Sequence, residues 1–229
     1  MAVQGTGNAA LLVVDMQRWL LGIAESVLPE VNKTIASLRD YGVPVIFTQQ
    51  GFEDPTAAAE GNIFVKKVGL PACPRVGHLG WELLGQLDTA EEDLYIKSRT
   101  TYDAFYQTGL LYILQQLEVD TLIICGVMTH TACESTARSA FSQNFQVVMC
   151  SDGTAAHEPA VHHHSLSNLR YGFADITTCK VVRSRYRLPW LEGHIARRQA
   201  RKSYEFPPGV APPPGLVRPA AVQLAATSH

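Results

Sequence analysis

Residues 126–138 read GVMTHTACESTAR and bring a thiol (Cys133), an imidazole (His130), a carboxylate (Glu134) and several hydroxyls together. The run follows an apolar stretch, Thr121 to Cys125, and opens a helix. At such a crossing in an α/β sheet, backbone N–H groups of the first helical turn point into the crevice at the strand's carboxyl end, where ligands sit. Two further apolar runs end in groups able to move a proton or hold a charge. Asp15 follows Ala9 to Val14, and Lys97 follows Leu94 to Ile96. Strand ends let residues far apart in sequence converge. An aspartate alone at a strand end would be uninformative.

The elements that must position these groups alternate along the chain. Short runs rich in Val, Ile and Leu predict strands at 9–14, 43–48, 93–97, 121–125, 146–150 and 175–181. Helical spacing predicts helices at 26–41, 104–117, 133–144 and 158–171, the first stopping at Gly42. This alternation implies an α/β fold of three layers, a mostly parallel six-stranded sheet with helices on both faces. The span 50–92 lacks a clean period and is expected to hold insertions that wall a pocket. After Val182 the composition turns basic and then Pro-rich. The expected organisation is therefore one domain over 1–182 and a C-terminal arm or tail over 183–229.

The chain has 229 residues, enough for one such domain with a buried core. Its formal net charge of −2 suggests neither a nucleic-acid nor a membrane partner. No apolar stretch reaches the ~20 residues that span a bilayer, and the N-terminus MAVQGTGN lacks the features of a signal peptide. Five cysteines without paired spacing fit a reducing cytoplasm. Cys125 and Cys150 lie in strand runs, where a free cysteine behaves as a small core residue.

Four segments resemble, in order, the isochorismatase-like cysteine hydrolases, a family that includes nicotinamidases and N-carbamoylsarcosine amidase. They are AALLVVDMQ around Asp15, DLYIKSRTTYDAF around Lys97, the 126–138 run, and FQVVMCSDGTAAHEPAVHHHSLSNLRYGFADITTC. The likeness runs from about Ala9 to Val182. It implies an amidohydrolase that uses no cofactor, acts on a small amide, carbamoyl or lactam, and assembles as a homodimer or homotetramer. It implies that Asp15 takes and returns the proton, that Lys97 lowers the thiol pKa, and that the N–H groups of Met128 and Ala132 hold the oxyanion. It also implies a cis peptide between Val127 and Met128.

The resemblance places the nucleophilic cysteine three residues after Thr129, at Ala132. Three readings stand open: an introduced Cys→Ala change, a natural loss that leaves a binding or scaffold protein, or isochorismatase chemistry. Isochorismatases proper lack the cysteine and hydrolyse a vinyl ether with the aspartate as acid, and they share His at the position of His130. Cys133 is an alternative nucleophile, but one step along a helix turns a side chain by about 100°. Metal is not implied. Family metal ligands are histidines after the second strand, and here FTQQGFEDPTAAAEGNIFVKKVG has none before His78. His162, His163 and His164 are consecutive and point to different faces of a helix. Trp19, Tyr102 and Phe105 follow the catalytic strand ends, as candidates for an apolar pocket or for the core. His130 joins them as a substrate-binding candidate.

Overall fold

The computed structural model describes residues 8–186 and 216–217. Six strands form a parallel sheet: β1 (Ala9–Val14), β2 (Val45–Gln50), β3 (Leu94–Arg99), β4 (Thr121–Val127), β5 (Gln146–Ala155) and β6 (Asp175–Thr177). Their spatial order is β6-β5-β4-β1-β2-β3. A short seventh strand, β7 (Leu216–Val217), pairs antiparallel with β3. Most of the expected C-terminal arm, 187–215 and 218–229, lies outside the described residues.

Side chains alternate along β1, so one strand feeds two cores. Leu11 and Val13 join Val31, Ile35 and Leu38 of α2 (Leu28–Asp40) and Val182 of α8 (Cys179–Arg185). Ala10, Leu12 and Val14 face the other way. There they meet α5 (Leu110–Gln116), α6 (Glu134–Ser142) and α7 (Pro159–Gly172), through Leu110, Leu114, Ala137, Ala140, Leu166 and Leu169. The result is the expected three-layer α/β architecture. The strand order reverses between β1 and β4, and the crevice at that switch point is where α/β sheets bind ligands.

Two expected elements differ from the fold. The run expected as a strand over 175–181 is strand only to Thr177. Thr178 then caps α8, its hydroxyl accepting from Val181 N at 3.3 Å, and the helix runs to Arg185. The helix expected from 104 starts only at Leu110. The Thr108 hydroxyl accepts from Leu110 N at 3.2 Å and donates to Ala104 O at 2.5 Å, holding 104–109 as a turn. Between β2 and β3 the chain forms α3 (Pro55–Gly61) and α4 (Ile63–Val68). Phe52, Phe64, Val65 and Cys73 build a small separate core there, against which Tyr102 packs.

Candidate active site

The sequence places Asp15 directly after β1, and the fold turns it sharply. Its φ is +48°, a left-handed conformation, and its side chain is buried. Thr48 Oγ1 donates to Asp15 Oδ1 at 2.7 Å. Arg99 Nη2 donates to Oδ2, in an ion pair whose two side chains are 0% and 2% exposed. Both carboxylate oxygens are thus engaged. Arg99 also donates through Nη1 to Thr101 O, while its Nε has no partner among the described residues.

Arg99, absent from the expected set, is the basic residue of β3 that meets Asp15. The cause is a register shift. Ile96 pairs with Thr48 but Arg99 pairs with Gln50, so β3 carries one residue more than β2 over this stretch. That extra residue carries the pairing with Asp15 to Arg99. Lys97 Nζ instead stands over the rings of Tyr95 and Trp81, 5.4 and 5.8 Å from their centroids. The signal available in the sequence was a second basic residue two positions on, at the same strand end.

The Gln of the Asp-x-Gln motif has a defined place. Gln17 is buried and donates through Nε2 to Gln50 O (2.9 Å) and Trp81 O (2.7 Å), while Oε1 accepts from Gln50 N at 2.9 Å. It ties the end of β2 to the loop after β1. Trp19 packs against the core that α2 and α8 cover, with its Nε1 buried and, like Nε1 of Trp81, without a partner among the described residues. Tyr102 meets Phe64 edge-on at 4.8 Å, and burial pushes its hydroxyl pKa up. Phe105 is half-buried, packs against the cluster of α5 and α6 and lies 6.0 Å from Phe145.

β4 ends at the turn that the sequence singled out. Gly126 has φ +109°, and a Cβ there would lie 2.1 Å from Val14 O, so only glycine lets β1 and β4 approach this closely. The Val127–Met128 peptide is cis. Thr129–Cys133 then makes one π-helical turn, with Met128 O accepting from the N–H groups of Thr131 and Cys133 at 3.2 Å each. Such turns recur at functional positions in helices. α7 holds the turn in place: Ser165 Oγ donates to Thr129 O (3.3 Å) and to Glu134 Oε2 (2.5 Å), and His162 Nδ1 lies 2.8 Å from Thr129 Oγ1. Thr136 accepts from Ala104 N at 3.0 Å and fastens the 102–104 loop to α6.

Ala132 is 3% exposed and offers only a methyl group. Cys133 is fully buried, and burial above all, with the charge of Asp15 next, pushes its thiol far up, so it stays protonated. His130 meets His157 edge-on at 5.2 Å, with its Nδ1 buried and without a partner among the described residues. Its pKa is lowered, first by burial and then by His157.

The chain that carries this strand-end aspartate, its cation and the cis turn has relatives among known proteins. Residues 9–181 match the family model described as the isochorismatase domain. The chain belongs to the isochorismatase family of hydrolases. An Arabidopsis thaliana protein named Nicotinamidase 3 is 34% identical over 175 residues, covering 76% of this chain and 87% of that one. A second Arabidopsis thaliana relative, named a "probable inactive nicotinamidase", is 30% identical over 177 residues, covering 71% and 88%. A cysteine hydrolase of Pseudomonas syringae pv. phaseolicola 1448A has the same fold, with a TM-score of 0.73 at 23% identity over 80% of this chain and 94% of its own. Among the described residues, no helix of this isochorismatase-family chain is long and apolar enough to cross a membrane.

Proposed function

We propose that the chain binds a small amide, carbamoyl or lactam compound in the crevice between β1 and β4, on a metal-independent amidohydrolase frame whose attacking atom is missing at Ala132. The observation that carries this reading is a set of buried donors left without partners. Among the described residues, Trp19 Nε1, Gln50 Nε2, Trp81 Nε1 and Arg99 Nε are all unpaired, and all belong to residues at or beside the ends of β1, β2 and β3. Buried polar groups are nearly always paired in a folded protein, so such a group of N–H donors asks for a ligand rich in acceptors. A carbonyl compound supplies them. In this proposal the N–H groups of Met128 and Ala132 would hold its oxygen, and Trp19, Tyr102 and His130 would line its surroundings.

The missing chemistry follows from the same residues. A methyl at position 132 forms no acyl-enzyme. The neighbouring thiol is buried and held protonated. The carboxylate meant to take a proton already accepts from Thr48 and Arg99. The last point also weighs against vinyl ether hydrolysis with Asp15 as acid. Relatives named nicotinamidases make nicotinamide the first amide to try.

The test is calorimetric binding of nicotinamide and N-carbamoyl compounds to the full chain, together with an assay of ammonia release. The expected result is binding without release, and thiol-dependent release after Ala132→Cys that iodoacetamide abolishes. Release at full rate by the chain as it stands, abolished by Cys133→Ala, would move the nucleophile to Cys133. A vinyl ether hydrolysed by the chain, with the activity lost in Asp15→Ala and no amide bound, would replace the amide reading altogether.

A further inference from the structure

On the other face of the sheet, three cysteines that are far apart in sequence come together. Cys125 lies in β4, Cys150 in β5 and Cys179 at the start of α8. All three are buried, and their Sγ atoms lie within 4.8 Å of one another. They belong to the core that α2 and α8 cover, whereas Ala132 and Cys133 belong to the opposite core. The cluster is therefore separate from the crevice of the proposed amide site.

The backbone is shaped around these sulfurs. Ile124 pairs with Met149 and Gly126 with Thr154, so the single residue Cys125 faces four residues of β5, Cys150 to Gly153. Thr154 Oγ1 closes this wide bulge on Cys150 O at 3.0 Å, and Ser151 Oγ ties it to Thr177 O at 3.1 Å. Bulges of this kind re-aim side chains. Gly153 keeps the centre open. A Cβ there would lie 2.6 Å from Cys179 Sγ and 3.0 Å from Cys125 Sγ. Its φ lies outside the left-handed range, so the glycine is required for space rather than for its backbone angle. Asp152 brings a carboxylate to the rim, with Oδ1 accepting from Cys179 N at 2.6 Å.

We propose that Cys125, Cys150 and Cys179 form a buried three-thiolate site for a thiophilic divalent ion, zinc(II). Tetrahedral zinc with Zn–S bonds of about 2.3 Å needs sulfurs roughly 3.8 Å apart, a spacing within the span of this cluster. The step balances as one Zn²⁺ and three thiols giving a zinc tris-thiolate of net charge −1 and three protons released to solvent. The three ligands come from β4, β5 and α8, so the ion would pin α8 to the sheet. This ligand set is unrelated to the histidine set whose absence after β2 is evident in the sequence.

The experiment uses the full chain, reduced and free of oxygen. Zinc is titrated by calorimetry in buffers of different ionisation enthalpy, and cobalt(II) is titrated in parallel by absorption. The expected result is one zinc per chain with about three protons released, and a thiolate-to-cobalt charge-transfer band at one equivalent. Cys125→Ser, Cys150→Ser and Cys179→Ser should each abolish the band, while Cys133→Ser and Cys73→Ser leave it intact. A folded native chain that binds no zinc overturns the proposal. So does one that binds zinc without proton release or a charge-transfer band, which would assign the ion to surface histidines. The native-chain result decides even if a serine variant fails to fold.

Discussion

At the end of β1, both carboxylate oxygens of Asp15 are occupied by its neighbours; at the end of β4, the side chain in the key position is a methyl group. The β1 corner is over-supplied with charge and donors: Asp15, Arg99, Thr48 and the N–H groups of Trp19 and Trp81, which have no partner among the described residues. The β4 turn keeps its backbone in full, with Gly126, the cis peptide and the π-helical turn, yet presents Ala132. On the proposed reading, the backbone frame of the crevice and its reactive atoms are separable. Gly126 packs against the backbone of β1, and Thr129 and Thr136 are stitched to α7 and to the 102–104 loop, so the fold itself depends on them. Nothing in the packing depends on a sulfur at 132.

Several variants would break or sharpen this contrast. The largest effect is expected at the backbone of β4. Gly126→Ala drives a methyl into Val14 O, and chemical denaturation should show a loss above about 4 kcal/mol or no folded protein. Next comes the β1 corner. Asp15→Ala leaves the Arg99 guanidinium buried and unpaired, which typically costs about 3–5 kcal/mol, read as a shift of the urea midpoint. A loss under about 1 kcal/mol there would mean that water reaches Arg99 and the corner is not closed.

Smaller still is a pH effect at the β4 turn. His130 and His162 both have pKa values below the ordinary 6.5, chiefly because burial disfavours the charged ring. The unfolded chain then binds more protons than the folded one just below that value. Stability from these residues is fully present above about 6.5 and is lost as pH falls through the folded values. Urea midpoints should therefore drop between pH 7 and pH 5, and His130→Gln should flatten part of that slope. The smallest effect is expected at Lys97, whose ammonium stands over the rings of Tyr95 and Trp81: Lys97→Ala should cost under about 1 kcal/mol and leave ligand binding intact. A large loss of binding would restore Lys97 to the site.

The layers of the fold were readable because β1 and β4 are continuous apolar runs and α2 carries Val31, Ile35 and Leu38 at helical spacing. Asp15 and the 126–138 turn were readable because each lies at the end of such a run. Arg99 was not, because the bulge in β3 leaves no mark in a string of residues, and two basic residues compete for one strand end. The thiol cluster was hidden for a related reason: Cys125 and Cys150 each read as core, and only the β5 bulge and the cap at Thr178 bring Cys179 to them. Thr178 also ended the expected last strand, since a local side-chain bond outweighed an apolar alternation that suited either element.

The central claim is that residue 132, and not residue 133, faces the reacting carbon. It is tested most directly by alkylating the folded Ala132→Cys chain with iodoacetamide, with and without Cys133→Ala, and counting adducts by mass spectrometry. The account predicts one rapid adduct in both backgrounds, slowed by bound amide, and none on the chain as it stands before denaturation. Rapid alkylation of the unaltered chain at Cys133, or an adduct on the Ala132→Cys chain that disappears with Cys133→Ala, would contradict it.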